Sequence, residues 1–102
     1  MNDTIEFLGG KWKIPILCAL DMGGKQRFGE LQRNVKGITP KMLSKELQDM
    51  EMNRLVSRRV IDSKPVSVEY ELTPYAENLR PMISAMLEWG MQHRRFLMGG
   101  ER

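Results

Sequence analysis

The chain has 102 residues, 41% of them hydrophobic and 28% charged. That composition suits one domain with one modest core, expected to span residues 1–102, and excludes a disordered chain, a collagen-like repeat or a disulfide scaffold. The net charge of +3 says little until it is located. Lys25 to Lys64 holds ten basic residues against five acidic ones, a net of +5, and the rest of the chain carries −2. Such asymmetry predicts one face that meets phosphate.

The longest apolar run in the first third, Ile14 to Leu20, is interrupted by Pro15 and falls far short of the roughly 20 residues a bilayer span needs. Met1 to Thr4 offers neither a basic n-region nor an apolar h-region, so a cytoplasmic location is expected, with no membrane contact. A single Cys and a single His cannot assemble a site of three or four soft ligands, so no metal or other cofactor is expected.

In chain order, Asn2, Asp3 or Thr4 can cap a short helix ending at Gly9 and Gly10. Trp12, Ile16, Leu17 and Leu20 recur at helical spacing, predicting a second helix over residues 11–22, with Pro15 near enough to its start to be tolerated. A brief extended piece at 25–27 leads to Phe28, Leu31 and Val35, the spacing of a two-turn helix over 28–34, and then to a tight turn at 36–38.

Thr39-Pro40 is a strong helix start, a capping hydroxyl followed by a proline whose missing donor costs nothing there. Leu43, Leu47 and Met50 form the buried stripe of a helix to about Met52, with Asn53 as a left-handed cap. Two strands follow, 55–61 and 66–72, joined at Ser63-Lys64-Pro65. In the second, Val66, Val68, Tyr70 and Leu72 alternate with polar residues and predict one buried face. Thr73-Pro74 then opens a continuous helix of about 22 to 24 residues, kinked at Pro81. Its apolar positions wrap beyond one core-facing stripe, which implies a second buried face; a homodimer seam is the simplest cause.

Two short helices joined by a Gly-containing turn, the second polar and basic outside, make a helix-turn-helix pattern, and the basic hairpin after it makes the winged form. The fold class is therefore α+β, mainly α, with a two-stranded hairpin wing. A helix fits the major groove of B-DNA and reads base edges through the donors and acceptors it presents. With the apolar stripe of residues 39–52 turned inward, Lys41, Ser44, Lys45 and Gln48 face outward. Gln48 has the fork for an adenine edge, and the lysines suit phosphate or guanine. The wing, about residues 56–72, adds Arg58, Arg59 and, at its tip, Lys64 for backbone or minor groove. Arg27 ahead of the first helix, with Thr39 and Pro40 at the start of the second, completes the candidate DNA-contact set.

The same segments carry a resemblance. Gly9-Gly10-Lys11-Trp12, Arg27-Phe28-Gly29-Glu30-Leu31, Gly37-Ile38-Thr39-Pro40-Lys41-Met42-Leu43, Leu47 with Met50-Glu51, Leu55-Val56, Val68-Glu69-Tyr70-Glu71-Leu72-Thr73 and Glu88-Trp89-Gly90 together resemble the HxlR-type regulators, winged-helix relatives of the MarR group. The resemblance implies a bacterial or archaeal transcription regulator that binds operator DNA as a homodimer, joined through its N- and C-terminal helices. That places Ile5, Leu8, Leu79, Met82, Ile83, Met86, Trp89 and Phe96 at the seam. Members that sense oxidants or electrophiles carry a Cys before the Gly-Gly-Lys-Trp motif, and Met1 to Leu8 contains none. The usual Gly before the Leu-Val of the hairpin is Arg54 here, and the common Gly after the Thr of the long helix is Ala76.

Isolated residues have plainer readings. Cys18, the one candidate sensing thiol, lies beside Leu17 and Leu20 and reads as core filler. His93 reads as a solvated or helix-end residue, Trp12 and Trp89 as packing anchors. Glu46, Asp49 and Glu51 are expected to pair with Lys45 or Arg54 at helical spacing. A rival function is a winged helix that turns its basic face to an acidic protein partner. An enzyme is not expected, because the chain lacks a nucleophile–base pair, a phosphate-cradling Gly loop and a paired-carboxylate motif. No residue pattern names a small-molecule effector.

Overall fold

The computed structural model describes residues 10–99. The helix expected over residues 2–8, with Ile5 and Leu8, lies outside the described residues. The elements run α1 (Lys13–Gly23), β1 (Gln26–Arg27), α2 (Phe28–Asn34), α3 (Pro40–Met52), β2 (Val56–Ile61), β3 (Ser67–Leu72), a 3-10 turn (Ala76–Leu79) and α4 (Arg80–Leu97).

Each helix contributes an apolar stripe to one core. Ile16, Leu17 and Leu20 of α1 meet Leu31 of α2 and Leu43, Leu47 and Met50 of α3. The sheet closes this core through Val56, Tyr70 and Leu72. Thr39 caps α3 as its sequence demands, accepting the Met42 N–H at 3.1 Å with Pro40 in the first turn. Between α1 and α2 the chain reverses at Gly24, whose φ of 70° suits glycine. Gln26 is buried at that corner. Its amide donates to the carbonyl of Ala19 at 2.8 Å and accepts from Asn34 at 2.8 Å, tying the end of α1 to the end of α2.

The hairpin is present, but it belongs to a three-stranded antiparallel sheet of order β1-β3-β2. The extended piece ahead of α2 pairs with β3 through Gln26 opposite Tyr70 and Arg27 opposite Glu69. Val66, expected on the buried face, is exposed instead, because the wing has left the core before that position.

Three further expectations are corrected. Asn53 has φ −91° and is not left-handed; the left-handed residue is Arg54, with φ 63°. The long helix is not continuous from Pro74 onward. A 3-10 turn comes first, and the α-helix starts at Arg80 with Pro81 in its first turn, where the missing amide breaks no intrahelical bond and no kink is needed. Ile83, expected at a dimer seam, is 1% exposed and belongs to the protomer's own core. Leu79 and Met82 pack half-buried beside it. From Ser84 to Gly99 every described residue is exposed, so α4 docks by its first turn and projects from the body. The long principal dimension, 53 Å against 29 and 22 Å, reflects that projection. Among the described residues no helix is long and apolar enough to cross a membrane.

Candidate nucleic-acid interface

The outward face of α3 is set by what its inward face must do. With Leu43, Leu47 and Met50 nearly inaccessible, Lys41, Ser44, Lys45 and Gln48 are left exposed, as are Thr39 and Pro40 at its start. Ser44, Gln48 and Glu51 line a polar cleft of about 320 Å³ whose opposite wall is Arg58 of β2 and Tyr70 of β3. One surface therefore combines an amide, a hydroxyl, a carboxylate and a guanidinium. These are the groups that read base edges in a groove.

Strand alternation separates the two wing arginines. Arg58 lies opposite Tyr70 and Arg59 opposite Glu69, so adjacent side chains point to opposite faces of the sheet. Arg58 turns toward α3; Arg59 shares the other face with Glu69 and Arg27. Arg58 and Arg59 therefore offer their charges on different faces of the wing. Lys64 is exposed in the loop between the strands, as expected for a wing tip.

The acidic residues of α3 pair differently from expectation. Lys13 of α1, itself buried, sits 2.6 Å from Glu46 and 3.0 Å from Asp49. Burial works against its ammonium, but hydrogen bonds and charge from both carboxylates outweigh that and hold its pKa above the ordinary value. The pairing fixes the rotation of α3 against α1. It also leaves Lys45 without an ion pair among the described residues, free to meet an external anion. Glu51 likewise makes no ion pair among the described residues and stays in the cleft. Its i, i+3 spacing from Gln48 and i, i+7 spacing from Ser44 was the signal that could have placed it there.

Two other residues are located. Cys18 is half-buried against the core. Burial, then the charge of Asp21, pushes its thiol up. His93 stacks between Trp89, at 4.7 Å, and Phe96, at 6.4 Å, along one side of α4. Met86, Trp89 and Phe96 are all exposed there, so of the expected seam residues these three remain available to a second copy.

Residues 7–97 match the HxlR-like helix-turn-helix family. The chain is 41% identical over 90 residues to the uncharacterized HTH-type transcriptional regulator YtcD of Bacillus subtilis (strain 168), covering 88% of this chain and 71% of that protein. The redox regulator HypR in its reduced form superposes with a TM-score of 0.85 at 35% identity, covering 97% of each chain. A MarR-family transcriptional regulator from Porphyromonas gingivalis W83 superposes with a TM-score of 0.81 at 32% identity, covering 88% of this chain and 87% of that one. The winged helix-turn-helix, the exposed Lys41 and Lys45 on its outer helix and the match over nearly the whole length agree: the chain belongs to the HxlR-like helix-turn-helix family of transcriptional regulators, which are not enzymes.

Proposed function

We propose that the protein is a cytoplasmic, sequence-specific regulator that binds a pseudo-palindromic operator as a homodimer. In this reading α3 lies in the major groove and presents Ser44 and Gln48 to base edges, with Lys41 and Lys45 on phosphate or guanine. The wing follows the backbone or the adjacent minor groove, Arg58 from the α3 side and Lys64 from the tip. The observation that carries the reading is the shared cleft of Ser44, Gln48 and Arg58, because two separate elements converge there on one solvent-facing strip. Met86, Trp89 and Phe96 support a second copy docking on α4. Two-fold symmetry would set the two reading helices about 34 Å apart, one duplex turn.

Selecting bound duplexes from a random library tests sequence preference and half-site spacing together. The expected product is an inverted repeat whose half-sites are one turn apart. Titration at rising salt is the companion measurement: about six phosphate contacts per protomer give a log-log slope near −0.9 per contact. Replacing Gln48 by Ala is expected to reduce discrimination at one base position by roughly 1 to 3 kcal/mol. Unchanged preference in that variant would remove the assignment of Gln48 as a reader.

A further inference from the structure

A second cleft lies away from the one beside α3. It has a volume of about 480 Å³ and opens between α2, where Arg27 just ahead of the helix, Glu30 in its first turn and Arg33 in its last turn line it, and the start of β3, where Val66, Ser67 and Val68 form the other wall. The short β1 makes this cleft. It covers β3 only at Tyr70 and Glu69, leaving the edge nearer the wing tip uncovered among the described residues.

Ser67 Oγ is buried and has no hydrogen-bond partner among the described residues. A hydroxyl withdrawn from water without a partner is unfavourable, and a group brought from outside relieves it. The arginines across the cleft are also uncommitted: Arg27 and Arg33 are exposed, and neither makes an ion pair among the described residues. Arg33 does not extend away into solvent. Its Nη1 lies 3.8 Å from where a Cβ on Gly29 would stand, so its guanidinium folds back over the first turn of α2. Two carboxylates stand near the arginines, Glu30 in the cleft lining and Glu69 on β3, and each has a donor of its own. Glu30 accepts the Arg27 backbone N–H at 2.8 Å, and Glu69 lies 3.9 Å from Lys25.

We propose that this cleft takes one backbone phosphate of the bound duplex, with Arg27 and Arg33 on the phosphate oxygens and the Ser67 hydroxyl donating to them. The proposal rests on the DNA-binding reading above. The choice of occupant follows from the openness of the cleft, since Arg27, Gly29, Arg33 and Val66 are all exposed. A free small anion would keep most of its hydration there. A duplex anchored by α3 instead presents its phosphate at high effective concentration, so few contacts suffice. Such a contact fixes the register of the protein on the duplex without reading sequence.

The experiment is a polarisation titration of labelled duplex at several salt concentrations with the full chain, its Arg33→Gln variant and its Ser67→Ala variant. Arg33→Gln is expected to weaken every duplex alike, about fivefold near 0.15 M salt, and to make the log-log salt slope shallower by about 0.9. Ser67→Ala is expected to weaken binding uniformly with the slope unchanged, and to fold normally because its hydroxyl has no internal bond to lose. An unchanged slope in Arg33→Gln, with the wild type binding duplex, overturns the phosphate site and leaves DNA binding standing. If the wild type binds no duplex, the DNA reading falls, and a titration with inorganic phosphate decides the cleft. Shifts of the Gly29 and Ser67 amides that vanish in Arg33→Gln would keep an oxyanion site with a free occupant, and no shifts would remove it.

Discussion

The Thr73 hydroxyl donates to the backbone carbonyl of Arg54 at 2.8 Å. The same oxygen accepts the Ala76 N–H at 3.0 Å, and the Thr73 amide donates to Leu55 at 3.0 Å. One residue thus clamps the turn between α3 and β2 to the end of β3. That turn holds Arg54, the one described non-glycine residue with positive φ. A left-handed L-residue costs roughly 1 to 2 kcal/mol, and glycine's extra freedom in the unfolded chain offsets about 0.4 to 1 kcal/mol of any relief. Arg54→Gly is therefore expected to stabilise the protein by about 0.5 to 1 kcal/mol, read as a higher urea midpoint at unchanged m-value. An equal or lower midpoint would mean the Arg54 side chain contributes more than its backbone costs.

Lys13 joins α1 to α3 through Glu46 and Asp49, so its removal strands a half-buried Glu46. Breaking a fully buried pair costs about 3 to 5 kcal/mol. Here Asp49 is half exposed and solvent screens part of the interaction, so Lys13→Met is expected to cost about 2 kcal/mol. The pH dependence has a definite sign. Folding raises the Lys13 pKa above its ordinary 10.5. The stability this confers is whole below that ordinary value and is lost as pH rises through the higher folded value. Urea midpoints of the wild type are expected to fall toward those of Lys13→Met in that alkaline range, and parallel profiles would show that the pair contributes nothing.

Most helices were legible because one-face burial leaves a period, and Thr39-Pro40 marks a start without ambiguity. The hairpin was legible from its alternation for the same reason. What escaped was set by tertiary contact. Gln26 looks like an ordinary polar residue until the corner between α1 and α2 buries it, and β1 is too short to carry a period of its own. Local spacing offered Lys45 and Arg54 as partners for the α3 carboxylates, but Lys13, more than thirty residues away, is buried beside them and wins. Pro81 was read as a kink because the apolar pattern continues across it, whereas the backbone changes to a 3-10 turn and begins the helix afresh. For the candidate site, helix periodicity brought Ser44 and Gln48 together, and only the strand register separated Arg58 from Arg59.

Cys18 tests whether a half-buried thiol can act as a sensor. The thiolate is the reactive form, and burial, followed by the nearby charge of Asp21, raises the thiol above its ordinary 9.0. Alkylation at pH 8 is expected to run about tenfold or more slower in the folded protein than in urea. Equal rates would overturn its assignment to the core and return it as a candidate sensor.

Ile83 and Trp89 lie on the same helix and are expected to fail in opposite ways. Ile83 is 1% exposed and packs in the protomer core, whereas Trp89 is 62% exposed and stacks on His93. Ile83→Ala opens a cavity and is expected to cost about 2 to 5 kcal/mol of protomer stability. Trp89→Ser removes a large ring from the outer face of α4, where the protomer loses little, but a second copy docked there would lose an aromatic anchor. Sedimentation over a concentration series is expected to show the Trp89→Ser dimer dissociating at concentrations where the wild type stays paired, at nearly unchanged urea midpoint under monomeric conditions. A variant that dimerises like the wild type would remove Trp89 from the seam and place the contact elsewhere.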